Sequence, residues 1–409
     1  MHEIPADFTT LPEPYPVLDE IRADGPVQQV LLRGREVWLV TGYDEVLSGL
    51  AHPELSNDAR IADLPGEPGE PGGNLLSSSL LVTDPPDHTR LRKSVSQVFT
   101  ARRIAALRPR IQQITDTLLD ALAPAGHADL MAELAIPLPI TVICELLGIP
   151  DADRDAFARW SIALVMPPAD AATLARAAVA QADLARYFTA LIARKRAEPG
   201  DDLLAALAAA SGDGRLSDRE LLAMAVLLVL AGHETTASLI GTGALMLLRN
   251  PGQLAAVRDD PALLPGAVEE LARYSGPISL GVARFTRSEI ELGGQRIPAG
   301  QMVMFALAAA SRDPGRYDHP GRLDVTRRQG PHLAFGHGIH YCLGAPLARM
   351  EAAIALGTLL RRLPGLALAV PDEHLRWRVA STRGLAELPV SFTPARGADG
   401  TALALAPDC

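Results

Sequence analysis

Residues 335–349 read Phe-Gly-His-Gly-Ile-His-Tyr-Cys-Leu-Gly-Ala-Pro-Leu-Ala-Arg, with one cysteine, Cys342, at the centre. Three glycines surround it, Gly336, Gly338 and Gly344, and a long apolar helical run begins just after it. Glycine allows backbone turns that other residues avoid, and it lets a flat partner approach closely. A cysteine at a helix N-terminus has a lowered pKa, because the helix dipole favours the thiolate. A thiolate held beside a glycine suits an axial ligand of haem iron.

Two other interpretations of this stretch are open from the residues alone. A lone cysteine before a helix is usually a small buried hydrophobic residue, although that interpretation leaves the glycines unexplained. The nearby histidines also have spacings that zinc sites use. The candidate zinc ligands are His332, His337, His340 and Cys342.

The composition is that of a globular protein with a large core. Of its 409 residues 48% are hydrophobic, which argues against disorder, and the net charge of −10 argues against nucleic-acid binding. The three cysteines, Cys144, Cys342 and Cys409, are too widely spaced for a disulfide framework, which fits a reducing cytoplasm. No signal peptide is evident, and the best membrane-span candidate, Leu221–Ala231, is too short. We therefore expect a cytoplasmic protein that does not enter a membrane.

The patterning predicts a mainly α protein with a smaller β-rich portion. Val27–Leu32 and Glu36–Val40 form a predicted hairpin, and the pattern from Asp84 to about Leu248 is helical. Shorter pieces follow, namely predicted strands at 289–292, 302–306, 376–379 and 388–392 and a predicted helix at 343–363. Without an internal repeat or a convincing linker, the chain is expected to form one domain over residues 1–394, with a frayed tail at 395–409.

The longest predicted helix begins at the capping box Ser217-Asp-Arg-Glu220 and ends at Asn250, before a proline. It is apolar on nearly all faces and should be buried, yet its middle, Ala231-Gly-His-Glu-Thr-Thr236, is polar. Glu234 and Thr235 could line a functional groove in this helix. Equally, the threonines could bond back to the helix carbonyls while Glu234 pairs with an arginine.

The stretch around Cys342 resembles the haem-binding signature of the cytochrome P450 family, with every family-defining position filled. Those positions are Phe335, Gly336, Gly338, His340, Cys342, Gly344, Leu347, Ala348 and Arg349. The resemblance runs from about Tyr15 to Pro394 and includes four motifs in the right order. It implies the cytochrome P450 fold and haem b (heme b, iron protoporphyrin IX), with Cys342 as the proximal ligand of the iron.

The same resemblance assigns roles to other residues. The segment Asp84-Pro-Pro-Asp-His88-Thr-Arg-Leu-Arg92 resembles the one that supplies two partners for the haem propionates, and His88 and Arg92 share a helical face. Arg284 and His340 are the implied further partners. The polar island resembles the oxygen-activation motif, which makes Glu234 the proton-delivering acid and Thr235 the conserved alcohol.

A structural network is implied as well. Glu270 and Arg273 match the Glu-x-x-Arg pair of the family, and Pro320-Gly-Arg322-Leu323 resembles the later segment whose arginine joins that pair. Leu323 stands where the family commonly has phenylalanine. We expect this network to serve folding around haem and not catalysis.

The resemblance implies a bacterial monooxygenase that inserts one atom of dioxygen into a hydrophobic substrate and reduces the other to water. The chain carries no flavin or iron–sulfur motif, so we expect ferredoxin and ferredoxin reductase as electron donors. The basic stretch around Lys93, Arg102 and Arg103 is the expected ferredoxin surface, with a merely solvated helix face as the alternative.

Other haem chemistries are alternatives. The Glu234–Thr235 pair argues against a peroxide-using peroxygenase and against a non-catalytic haem sensor or carrier, since neither needs it. An oxidative coupling enzyme stays open.

The substrate is expected to be bulky and apolar. The Pro/Gly-rich loop at 64–73 and a second break at 166–170 fall where the family places mobile covers over the pocket. Aromatic residues make up only 4% of the chain, which disfavours a small ligand clamped between rings. A macrolide or other polyketide, or a terpenoid, from bacterial specialised metabolism fits these features.

Overall fold

A computed structural model describes residues 1–62, 75–165, 171–198, 200–212, 216–328, 330–380 and 382–394. The two expected covers at 64–73 and 166–170 lie outside these described residues, as does the expected frayed tail at 395–409.

Helices dominate the described chain, as the sequence predicts. They are α1 Tyr15–Ala23, α2 Tyr43–Leu50, α3 Asp87–Val98, α4 Ala101–Ala106, α5 Arg108–Leu122, α6 Pro137–Leu146, α7 Arg154–Val165, α8 Ala171–Ala197, α9 Leu203–Gly212, α10 Asp218–Arg249, α11 Pro251–Asp259, α12 Leu264–Ser275, α13 Leu307–Ala310 and α14 Ala345–Arg362. The strands are β1 His2–Ile4, β2 Val27–Leu32, β3 Arg35–Val40, β4 Leu55–Ser56, β5 His127–Asp129, β6 Val282–Thr286, β7 Ile290–Leu292, β8 Gln295–Ile297, β9 Met302–Phe305, β10 Ala367–Leu368 and β11 Pro389–Ser391.

The largest sheet has six strands in the order β1-β2-β3-β9-β6-β4. Its hairpin β2–β3 is the predicted one, and the turn between the strands is made by Arg33 and Gly34, both at positive φ. Side chains alternate along β3, so that Val37 and Leu39 enter one hydrophobic cluster and Trp38 enters another on the opposite face. Hydrophobic side chains therefore cover both faces of the sheet. Because side chains alternate between the two faces, this burial fixes the face to which each residue of a strand such as β6 points.

A third hydrophobic cluster, larger than the two on the sheet, fills the space among the helices around α10. The predicted capping box is present, since Ser217 Oγ accepts from the backbone N–H of Glu220 and the Glu220 side chain accepts from that of Ser217. Gly241 allows close packing here, because a Cβ at this position would lie 2.1 Å from the sulfur of Met131. The long helix is thus the axis on which its neighbours pack.

Within the described residues, α10 is the one helix long and apolar enough to span a membrane by length and composition. Its most apolar window is 67% buried inside the protein. Burial of that kind is typical of a core helix.

One predicted strand is wrong. Residues 376–379 form no strand, and only an isolated antiparallel bridge joins Trp377 to Leu385. The apolar character at this position comes from Trp377, which is buried because it packs into the helical cluster and not because it belongs to a sheet.

The predicted Glu270–Arg273 pair is present and buried, with Arg273 Nε 2.7 Å from Glu270 Oε2. The third member is Arg327, whose Nε lies 3.1 Å from Glu270 Oε1. The prediction of Arg322 is therefore wrong: Arg322 contributes its backbone carbonyl, which accepts from Arg327 at 3.1 Å, while the residue itself is exposed. The turn after Leu323 brings Arg327, and not Arg322, back towards α12.

We expect Arg327→Met to lower the free energy of unfolding by about 1–3 kcal/mol, because it leaves a buried carboxylate with one partner fewer. Urea unfolding followed by circular dichroism measures this change. The matched control, Arg322→Met, should stay within roughly 0.5 kcal/mol of the parent protein, as is usual for an exposed position. Equal losses in both variants would contradict the assignment of Arg327.

Candidate functional site

The loop before α14 positions Cys342. Its backbone N–H donates to the carbonyl of Phe335 at 2.9 Å, which closes the loop. Gly336 and Gly338 both have positive φ, near +73° and +72°, a conformation that other residues rarely adopt. A Cβ at position 338 would also lie 3.0 Å from the carbonyl oxygen of Leu50. Backbone geometry therefore requires glycine at both positions, and close packing requires it at 338 as well.

The electrostatic environment of the Cys342 sulfur has two opposing parts. Cys342 is exposed as a residue, yet the surrounding protein desolvates its sulfur enough to raise the pKa of the thiol. The backbone N–H groups of Gly344 and Ala345 and the charge of Arg92 act in the opposite direction and lower that pKa. The expected lowering of the Cys342 pKa is therefore wrong for the protein alone, because desolvation outweighs the N–H groups, which do act in the expected direction. A positive centre next to the sulfur would favour the thiolate.

Two histidines face each other beside this loop. The rings of His88, on α3, and His340 have centroids 4.2 Å apart. Asn57 fixes the tautomer of His340, because its Nδ2 donates to the carbonyl of Leu81 at 2.7 Å and lies 3.3 Å from His340 Nδ1. Nδ1 of His340 is then the acceptor, and Nε2 carries the proton. Burial and neighbouring positive charges lower the pKa of His340 to about 3, so it is neutral at pH 7.

Two arginines complete the cluster. Arg284, on β6, is only 5% exposed, and burial lowers its pKa to about 10. Its one hydrogen bond among the described residues goes to the carbonyl of Ala283, and it has no ion pair there. Arg92, on α3, donates to the carbonyl of Tyr341 at 2.8 Å and so ties α3 to the residue before Cys342. The structure thus brings the four predicted propionate partners and Cys342 together.

This cluster fits a haem. Nε2 of His88 and Nε2 of His340 are buried and have no hydrogen-bond partner in the described protein. Buried polar groups are almost always paired, and a buried guanidinium without a carboxylate is costly. Propionate groups would satisfy both histidines and the Arg284 charge, while the thiol suits the iron.

The zinc alternative is wrong. Among the residues that the structure describes, no three His, Cys, Asp or Glu side chains converge on a possible metal position. His332 turns to Glu269, with Nε2 3.2 Å from Oε2, and His340 turns to Asn57 and His88. The candidate ligands therefore point to separate partners.

Glu234 and Thr235 lie in the middle of α10, as predicted. Glu234 is buried, which raises the pKa of its carboxyl group, and Oε1 accepts from the Thr382 hydroxyl at 2.8 Å. Arg378 Nη2 lies 3.5 Å from the same oxygen. Thr235 donates to the Ala231 carbonyl at 2.8 Å. No hydrogen bond or ion pair joins either residue to the Cys342 cluster within the described chain.

A further network supports the Cys342 loop. Arg349, on α14, makes two hydrogen bonds to Glu269 of α12 and one to the hydroxyl of Tyr341 at 3.1 Å, and it stacks over Phe335. Burial alone would raise the pKa of Glu269, but hydrogen bonds from His332 and Arg349 hold it down to about 2. The loop is therefore anchored at both ends by a carboxylate that stays ionised.

Sequence reasoning missed several of these residues. Asn57, Glu269, Arg378 and Thr382 stand in no motif, and each acts on a residue far away in the chain. Arg349 was predicted as part of the haem-binding signature, but its partner Glu269 was not. Only the fold brings these pairs together, so the sequence carried no local signal for them.

The fold is mainly helical, the Cys342 thiol lies on a glycine-containing loop, and buried donors without partners in the described protein lie beside it. Together these features define the class of protein: a haem protein with a thiolate ligand. Comparison with known proteins agrees. The family model of cytochrome P450 matches residues 152–364. Cytochrome P450 107B1 of Saccharopolyspora erythraea is 50% identical over 377 residues, which cover 89% of this chain and 92% of that protein. The chain belongs to the cytochrome P450 family.

Two further comparisons add detail. The 6-deoxyerythronolide B hydroxylase of Saccharopolyspora erythraea is 44% identical over 388 residues, covering 92% of this chain and 95% of the relative. The structure of the tirandamycin C-bound P450 monooxygenase TamI superposes with a TM-score of 0.87 at 45% identity, over 96% of this chain and all of that one (100%). This chain is accordingly a bacterial haem b monooxygenase that uses dioxygen, a hydrophobic substrate and a redox partner.

Proposed function

We propose that this protein hydroxylates or epoxidises a bulky apolar molecule of the macrolide or other polyketide type, in the bacterial cytoplasm. A terpenoid of similar size is the other substrate class that fits. The size of the substrate and the residue roles given below are parts of the same proposal.

Exposed apolar side chains beside the site carry the proposal. Leu81 is 48% exposed, and its carbonyl accepts from Asn57, the partner of His340. Val379 is 55% exposed and directly follows Arg378, the partner of Glu234. Ligand pockets are lined mainly by apolar side chains, so apolar residues that adjoin the site are candidates for its lining. Apolar side chains of this kind suit a hydrophobic molecule; one relative is named 6-deoxyerythronolide B hydroxylase, and the structure of TamI holds tirandamycin C.

The residue roles follow from the cluster. Cys342 is the proposed iron ligand, and the four neighbouring donors, His88, Arg92, Arg284 and His340, are the proposed partners of the propionates. Bound haem supplies the activation of dioxygen, which a thiolate ligand favours by donating electron density. Hydrogen bonds from Gly344 and Ala345 moderate that donation.

Glu234 is the proposed proton donor, and Thr235 the alcohol that positions the proton transfer. Burial raises the pKa of the Glu234 carboxyl group above its usual value, which brings it closer to the pKa that a general acid requires. Peroxide chemistry needs no such donor, so the pair supports the dioxygen pathway over a peroxygenase. It equally disfavours a sensor or carrier without turnover.

Replacing the proposed ligand tests the first role. Cys342→Ser should abolish the red-shifted carbon-monoxide band of the reduced holoprotein, since an alcohol does not give a thiolate-type spectrum. Cys144→Ser is the matched control, because Cys144 is buried on α6 and should leave the band unchanged. A thiolate-type band that survives in Cys342→Ser would overturn the assignment.

Substrate size is tested by the spin-state shift on binding. A macrolactone should bind at least about tenfold more tightly than camphor, a difference of about 1.4 kcal/mol. Leu81→Trp should weaken macrolactone binding by narrowing the pocket, while Val179→Trp, on the exposed face of α8, should not. Tight binding of camphor alone would contradict the proposal.

We propose ferredoxin, reduced by ferredoxin reductase, as the electron donor, docking beside the Cys342 loop. The bond from Arg92 to Tyr341 places α3 next to this loop, and Lys93 follows as an exposed residue. Ile339 is 51% exposed on the loop itself and offers an apolar centre. Arg102 is exposed on α4. Basic residues around an apolar centre suit an acidic protein partner.

Arg103, the third expected docking residue, has an internal role. It is half-buried, and it donates to the carbonyls of Asp201 at 3.2 Å and of Val98 at 3.5 Å. Its charge is therefore directed into the protein, and the docking proposal rests on Lys93 and Arg102.

Neutralising Lys93 and Arg102 together, each to Gln, should raise the KM for a [2Fe–2S] ferredoxin about three- to tenfold at low salt. The effect should shrink near physiological salt, where the Debye length is about 8 Å. Arg258→Gln, an exposed charge on α11, is the control and should leave KM unchanged. A KM that is insensitive to both the double substitution and salt would refute this surface.

A further inference from the structure

The chain after Arg376 folds back on itself and presses against α10. We call its described residues, 377–380 and 382–385, the C-terminal turn. Trp377 pairs with Leu385 in an antiparallel bridge, and the N–H of Arg378 donates to the carbonyl of Gly384 at 2.8 Å. The turn therefore has a defined hydrogen-bonded shape although it is not part of a sheet.

Glycine permits its close approach to α10. A Cβ at Gly384 would lie 2.4 Å from the hydroxyl of Ser238 and 2.9 Å from Nη2 of Arg378. Neither distance is tolerable for a real side chain. Arg378 Nη2 in turn donates to Ser238 Oγ at 3.2 Å. The absence of a side chain at position 384 lets the guanidinium of Arg378 lie against α10, one turn after Glu234.

Arg383 fastens the turn from the other side. Its buried guanidinium donates to the carbonyls of Leu11 at 2.7 Å and Pro12 at 2.8 Å, and it stacks over Trp377 at 3.5 Å. Two separate segments, α10 and residues 11–12, therefore hold the turn in place. A fixed turn gives its side chains fixed positions, which is what orienting a neighbouring group requires.

Both contacts of the turn with Glu234 go to the same carboxylate oxygen. Thr382 donates to Oε1, and Arg378 lies 3.5 Å from Oε1. A donor and a positive charge at one oxygen disfavour a proton there, so the proton of the neutral acid belongs on Oε2. Glu234 and Thr235 are consecutive on α10, where successive side chains point about 100° apart. The carboxyl group of Glu234 and the hydroxyl of Thr235 therefore point in different directions.

We propose that Thr382 and Arg378 are positioning residues for Glu234: they hold Oε1, so that Oε2 is the oxygen that takes up and passes on the proton. The inference rests on the proposed role of Glu234 as proton donor. The proton that Oε2 gives up is replaced from solvent, which reaches the 22% exposed side chain of Arg378 at the other oxygen of the same carboxyl group.

The groups around Glu234 define how its titration should respond. Burial raises the pKa of Glu234, whereas Thr382 and the charge of Arg378 lower it. His233, its neighbour on α10, has a pKa lowered to about 4, chiefly by burial, and is uncharged at neutral pH. Arg378 is thus the charge that acts on Glu234 within the described residues. Removing either Thr382 or Arg378 should therefore raise the pKa of Glu234 further and favour its neutral form.

The test follows the carboxyl C=O stretch of Glu234 by infrared difference spectroscopy on the holoprotein, across pH. Glu234→Gln identifies the band by its loss. In Thr382→Val and in Arg378→Met the midpoint should rise by roughly one pH unit, and more hydrogen peroxide should be released per NADPH. Thr382→Ser and Arg378→Lys keep the hydroxyl and the charge, and they should restore both the midpoint and the coupling.

Two failures are distinguishable. If Glu234→Gln leaves coupling to product unchanged, the proposed role of Glu234 is wrong, and this inference is wrong with it. If Glu234→Gln uncouples the reaction while Thr382→Val and Arg378→Met keep the parent midpoint, only the positioning role fails. A loss of coupling without a midpoint shift, not rescued by Thr382→Ser and Arg378→Lys, would mean that the turn acts on packing alone.

Discussion

Arg284 brings a positive charge into the interior, and no carboxylate of the described protein forms an ion pair with it. The charge of Asp84 acts on Arg284, but Asp84 forms its ion pair with Arg287. Asp84 Oδ2 lies 2.6 Å from Arg287 Nη2. His88 and His340 add two buried nitrogen atoms without partners. Such groups are costly when isolated, which supports the proposal that an anionic group of the cofactor pairs with them. Binding of the cofactor and the stability of the sheet, α3 and the loop that meet here are therefore linked.

The position of the Cys342 loop relative to that cluster depends on two consecutive carboxylates of α12. Side chains at neighbouring helix positions diverge by about 100°, and Glu269 and Glu270 use this divergence. Glu270 holds Arg327 and with it the chain after Leu323. Glu269 holds Arg349, which reaches Tyr341 beside the thiol. Helix α12 thus holds both the chain that leads to the Cys342 loop and the start of α14, which follows that loop.

Local patterns predicted the α10 capping box and the β2–β3 hairpin, because each depends on spacing within a short segment. The resemblance to the cytochrome P450 family, and not spacing, pointed to His88, Arg92, Arg284 and His340, the four residues of the cluster beside Cys342. Arg322 was predicted in place of Arg327 because the path of a turn decides which of two nearby arginines reaches α12. Asn57 and Thr382 could not be predicted at all, since they contact residues 283 and 148 positions away in the chain. The residues that the sequence does not reveal are therefore mainly those that contact the site from distant parts of the chain.

Two buried glutamates show how much such partners matter. Glu351, on α14, is fully buried, Oε2 has no hydrogen-bond partner in the described protein, and burial raises its pKa well above the usual value. No neighbouring group counteracts the effect of burial on this pKa, so its surroundings favour the neutral form. Glu234, on the adjacent α10, has a hydroxyl and a guanidinium at one oxygen and so can exist in both forms. A carboxyl group that passes on protons must be able to change charge, and of these two acids only Glu234 has surroundings that allow it.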